Sequence, residues 1–209
     1  MSSHLQELLG QLAGSISLLG FLPYIMDTVR GKTHPNRATW WIWTLVGAML
    51  CASYAASGAR HTIWVPISYV LGPLITALLS IKYGEGGASR FDRTCMGISL
   101  FSLPLWWLAR SPLLALLANM AVDLLGALPT IRKTYDTPAE ESLLSWTVFL
   151  LADMLNLCAM GLWSVATSLY PLYLFILAAV LVLLMLRPAF SNAARSFSAG
   201  VLRSDARKI

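Results

Sequence analysis

Four polar side chains sit where an apolar sequence can hold them only at a cost. Asp123 lies near the middle of an apolar run at 112–131, and Asn119 precedes it by one helical turn on the same face. Asp153 and Asn156, three residues apart, repeat the arrangement near the middle of the run at 143–163. An ionised carboxylate at mid-depth in hydrocarbon costs about 3 kcal/mol even on a lenient insertion scale, so each acid must meet a partner, face a wet cavity or carry a proton. Two acids and two amides on adjacent helices imply a polar cavity. Asn119, Asp123, Asp153 and Asn156 are its candidate solute ligands, and Asp123 is the candidate proton carrier. The competing role is a helix–helix hydrogen bond that only holds a bundle together. No other constellation points to catalysis, a cofactor or a metal. His4, His34 and His61 fall in loops or termini, and Cys51, Cys95 and Cys158 have no metal-ligand spacing and read as small packing residues.

The elements that would position these side chains follow from composition. With 57% apolar and 12% charged residues in a 209-residue chain, too little polar surface exists to cover a soluble globule. Seven runs approach the roughly 20 residues that span a hydrocarbon core: 8–29, 38–57, 62–81, 94–109, 112–131, 143–163 and 167–186. The expectation is an all-α integral membrane fold of seven transmembrane helices. Met1 to Glu7 carries no Lys or Arg, so the first run is read as retained rather than as a signal peptide.

Charge then orients the chain. Of 15 basic residues, only Arg60 and Arg110 fall in the loops after the second and fourth runs or on that side. The rest gather in the loops after the first, third and fifth runs and in the tail, which predicts an outside N-terminus and a cytoplasmic C-terminus. That alternation is a topology signal and not a nucleic-acid patch; the basic tail, 188–209, is suited to anionic lipid headgroups. A bacterial inner membrane and a eukaryotic organelle or plasma membrane fit equally, and an oligomer is compatible with the sequence. Trp40, Trp41 and Trp43 at the start of the second run, with Trp64, Trp106, Trp107 and Trp163 near opposite ends, read as an aromatic belt.

The chain also repeats itself. At an ungapped offset of 106 residues, nine of 28 positions from Leu18 to Leu45 are identical, including Gly20, Pro23 and Trp40 against Gly126, Pro129 and Trp146. Each copy holds three helices with one between the copies, so both insert in the same direction about an axis along the membrane normal. The expected organisation is a first three-helix repeat at 1–82, an inversion-linker helix at 83–111, a second repeat at 112–187 and a tail at 188–209: three plus one plus three.

Gly20-Phe-Leu-Pro23 followed by Arg30-Gly-Lys-Thr-His-Pro35, together with Asp123-x-x-Gly126-x-x-Pro129 and this helix plan, resembles the PQ-loop superfamily, which includes SWEET sugar transporters and cystinosin-type amino-acid exporters. Tyr24 and Thr130 stand where the name-giving Gln would be. The resemblance implies a hinge at Gly20 and Pro23 and at Gly126 and Pro129, where each proline bends its helix. Asp27, Arg30, Lys133 and Asp136 follow the prolines at matched positions with charges swapped, so cross-repeat ion pairs are expected to latch an intracellular gate. SWEET-type sugar binding is associated with an Asn in each third helix. Ser68, Tyr69, Thr76, Tyr170 and Tyr173 stand in those helices here. The function expected is alternating-access transport of a small polar solute, an amino acid or similar metabolite, with proton coupling and no enzymatic activity. An uncoupled sugar facilitator and a sorting or signalling receptor of the same fold are the alternatives.

Overall fold

The computed structural model describes residues 3–56, 64–87, 89–108, 112–160, 163 and 165–206. Arg60, His61, Arg110, Arg207 and Lys208 lie outside them. Among the described residues the chain is all-helical: α1 (Ser3–Val29), α2 (Arg37–Ala56), α3 (Trp64–Tyr83), α4 (Arg90–Leu108), α5 (Pro112–Asp136), α6 (Leu143–Ala159) and α7 (Val165–Ala206). A 3-10 turn, Pro138–Glu140, precedes α6, and one isolated bridge pairs Asn36 with Glu85. The tail expected from residue 188 instead continues α7 as helix to Ala206. Pro188 removes one backbone donor, and the Ala- and Arg-containing sequence beyond it has good helix propensity, so the helix resumes.

Local chemistry sets the helix starts. Asn36 Oδ1 accepts the Thr39 N–H at 3.2 Å and caps α2. Ser89 Oγ accepts the Asp92 N–H at 3.0 Å, and Asp92 Oδ2 in turn accepts the Gly87 N–H at 2.8 Å, closing the entry to α4. Gly86 and Gly87 take positive φ of 69° and 79° there, and a Cβ on Gly86 would strike the Asn36 side chain. Arg37 donates to the Ser80 carbonyl at 2.9 Å and to the Gly86 carbonyl at 3.2 Å, tying the start of α2 to the end of α3.

The helices pack in a pattern that recurs. Among the described residues, the backbones of α1 and α2 each contact α3 rather than one another, and those of α5 and α6 each contact α7. The two triples meet where α1 lies along α6 and α2 along α5, while α4 packs on α5 and α2. Gly20 and Gly126 make both meetings close. A Cβ on Gly20 would come within 2.6 Å of Phe149 Cε1 in α6, and one on Gly126 within 2.8 Å of Ile42 Cγ2 in α2. Both glycines therefore serve close helix approach in this conformation.

Two stretches, His4–Val29 and Ser168–Ala189, are long and apolar enough to cross a membrane. Only 17% and 22% of their apolar windows is buried within the protein, unlike the core helix of a soluble domain. Leu12, Leu19, Ile81, Phe101 and Leu183 are each more than half exposed.

Filling the helix interfaces should destabilise the fold. Gly126→Leu and Gly20→Leu are each expected to cost about 1–3 kcal/mol by overpacking. Gly10→Ala and Gly14→Ala, with nothing within 4 Å of the new Cβ, should leave the midpoint unchanged or slightly raised. Thermal unfolding of the detergent-purified variants separates the two pairs.

Candidate functional site

Six helices line one partly open cavity of about 130 Å³; among the described residues none of the lining comes from α4. Asp123 of α5 and Asp153 of α6 both line it. So do Ser17 and Gly47, which occupy the corresponding positions 106 residues earlier. Trp40 and Trp146, and Trp43 and Phe149, are two more such pairs, and all four side chains line the same space. Four pairs of positions 106 residues apart thus line one cavity, and among the described lining residues the acids come from α5 and α6 alone.

The two acids differ in their surroundings. Asp123 Oδ2 accepts the Tyr173 hydroxyl at 2.7 Å, and the Asp123 backbone carbonyl accepts the Trp43 indole N–H at 3.2 Å. Asp153, half-buried, lines the cavity and makes no hydrogen bond among the described residues. Asn119 and Asn156 do not line it. Asn119 lies about 6 Å nearer the start of α5 than Asp123, buried with its Oδ1 unpartnered, and Asn156 is half-buried one turn beyond Asp153.

Five rings close one end of the cavity. Phe21, Trp40, Trp43, Trp146 and Phe149 form a circuit in which each ring meets the next at 5.0 to 6.1 Å between centroids, tilted by 61° to 90°. Edge-to-face contacts of this kind place positive ring edges on negative faces. Trp40 and Trp43 therefore do not belong to an aromatic belt: Trp40 is buried, Trp43 is half-buried, and Trp41 alone of that group is exposed. Position near a helix end gave their depth but not the side of the helix they occupy. The repeat carried the missing signal, because Trp40 and Trp43 align with aromatic Trp146 and Phe149, whereas Trp41 aligns with Thr147.

Beneath the rings lies a buried charged cluster centred on Glu141, whose side chain is fully enclosed. Its carboxylate accepts Lys133 Nζ at 2.9 Å, Trp146 Nε1 at 3.0 Å and the Tyr24 hydroxyl at 3.1 Å. The Tyr24 oxygen accepts Trp40 Nε1 at 3.3 Å. Both repeat-related tryptophans therefore turn a ring to the cavity and an N–H to this cluster. Lys133 also donates to the backbone carbonyls of His34 and Glu140 and lies 3.7 Å from Glu85. Burial first, then the nearby Glu140, raises the Glu85 carboxyl above the ordinary glutamate range against the pull of Lys133. As pH falls, Glu85 loses its charge earlier than an ordinary glutamate would.

The matched charges expected to pair across the repeats do so differently. Asp27 accepts the Ser142 hydroxyl at 2.6 Å, and Lys133 pairs with Glu141 and Glu85 rather than with Asp27. Arg30 and Asp136 are exposed and form no ion pair among the described residues. Solvated charges at helix ends gain too little from pairing to be held together. A lysine that loses its water needs a counter-charge, and Glu141 supplies it. Comparison with family models, with curated proteins and with solved structures gives no match for the chain.

Removing one partner of the buried pair should be costly. Glu141→Gln is expected to lower stability by about 3–5 kcal/mol, with Lys133→Met/Glu141→Leu recovering most of the loss, as measured in a double-mutant cycle of unfolding midpoints.

Proposed function

We propose that this chain is an integral membrane transporter of the PQ-loop kind, in which seven transmembrane helices form two parallel three-helix repeats joined by α4. The observation that carries this reading is the cavity: among the described residues α1, α2, α3, α5, α6 and α7 line it, α4 does not, and four pairs of positions 106 residues apart share it. A site shared between two like halves is the arrangement that alternating access needs, because rocking one half against the other exposes it to either side.

In the proposed orientation the end bearing Lys133 and Glu141 is cytoplasmic, and the aromatic circuit with the ion-pair cluster below it is the closed intracellular gate. Opening requires the α1 side, with Tyr24 and the His34 carbonyl, to leave the α5 and α6 side, with Lys133 and Glu141. Pro23 and Pro129 lie one turn beyond the close-packed glycines and are the proposed hinges. The absence of an amide from the cavity lining among the described residues argues against a neutral sugar held by hydrogen bonds. The two carboxylates favour a charged solute exchanged with a proton, Asp123 being the proposed coupling residue.

The test is proton movement in liposomes. With amines, amino acids and sugars supplied in turn outside vesicles that contain a pH-sensitive dye, at least one class should drive proton flux through the wild type. Asp123→Asn should reduce that flux by about tenfold or more while the protein remains folded. Equal flux through wild type and Asp123→Asn would remove Asp123 from the coupling step.

A further inference from the structure

We infer that the cavity binds a small organic cation that carries no carboxylate, an alkylammonium rather than an amino acid or a sugar. This rests on reading the cavity as the solute site and names the class of solute. Among the described residues the lining provides two carboxylates, Asp123 and Asp153, and no Lys, Arg or His. Lys133, the basic residue of the cluster beneath the rings, is engaged by Glu141 and Glu85. The net charge of the lining is therefore negative, with Asp153 presenting a carboxylate that no donor among the described residues satisfies.

The rings supply the second part of the argument. Ammonium groups are attracted to the faces of Trp, Tyr and Phe within about 6 Å of the centroid, and the attraction grows when water is excluded. Five aromatic residues closing one end of the cavity, beside carboxylates, form a cage for a methylated or alkyl ammonium. An inorganic cation is less suited to it, because it needs several oxygen ligands to replace its water and most of this wall is carbon. A zwitterionic amino acid would bring a carboxylate into a space with two acids and no base, where like charges repel. A sugar would find the Ser17 and Tyr170 hydroxyls but no amide among the described lining residues. The volume, about 130 Å³, limits the ligand to a small molecule.

Choline, its uncharged carbon isostere dimethylbutanol and its carboxylate analogue betaine separate these possibilities at nearly constant size. The full chain in lipid nanodiscs is titrated with each, read by tryptophan fluorescence from Trp40, Trp43 and Trp146 and by calorimetry. Choline should bind saturably, with dimethylbutanol and betaine each weaker by about tenfold or more. Asp153→Asn should weaken choline by about tenfold, Asp153→Glu should retain much of the affinity, and Trp41→Phe should leave it unchanged. No saturable choline binding, equal binding of betaine or dimethylbutanol, or unaltered choline affinity in a folded Asp153→Asn protein would overturn the inference. Binding is read without flux, so the two readings fail separately. Choline binding without transport in liposomes contradicts the transporter and leaves the cation site standing. Transport of a sugar or amino acid without choline binding does the reverse.

Discussion

The arrangement of this bundle depends on one buried carboxylate. Glu141 is removed from water at the start of α6, and its negative charge is tolerable only because Lys133, Trp146 and Tyr24 converge on it from α5, α6 and α1. Each donor brings its own element, and Lys133 brings two loops as well through the carbonyls of His34 and Glu140. A buried pair of this kind adds little net stability over apolar side chains of similar volume. What it imposes is a geometry, since Lys133, Trp146 and Tyr24 must all reach the same carboxylate. That geometry brings Trp40 and Trp146 together and so closes the aromatic circuit.

The circuit joins a polar cluster that is satisfied to a cavity that is not. On the cluster side each indole N–H has an acceptor. On the cavity side Asp153 has no hydrogen-bond partner among the described residues, and Asp123 holds a single tyrosine hydroxyl. Two ring positions are aromatic at both members of a pair 106 residues apart, Trp40 with Trp146 and Trp43 with Phe149, whereas Phe21 matches Ala127. The repeat's departures from symmetry explain the chemistry. Ser17 and Gly47 stand at the positions matching Asp123 and Asp153, so among the described lining residues α5 and α6 alone supply acids.

Much of this was legible in the sequence, for reasons that differ by residue. The helical character followed from long apolar runs. Asp123 and Asp153 stood out because charge inside such a run is expensive, and that expense confines them to interior surfaces. Asn119 and Asn156 share their faces by periodicity, but a face is long, and position one turn along it takes them away from the cavity. The inward turn of Trp40 and Trp43 was hidden because depth along a helix says nothing of rotation about it. The Glu141 cluster was hidden more deeply. Its members come from four places in the chain, and the position matching Glu141 in the first repeat is Pro35, so neither spacing nor symmetry joins them.

The central claim is that two like halves rock about a shared cavity. Pulsed electron spin resonance tests it most directly, with labels at Arg30→Cys and Asp136→Cys on a background where Cys51, Cys95 and Cys158 are replaced by alanine. These two exposed positions, 106 residues apart, follow Pro23 and Pro129 at the ends of α1 and α5. The account predicts two distance populations in lipid, one short and one long, whose ratio shifts with pH. A single distance that no change of pH or added solute alters would contradict it.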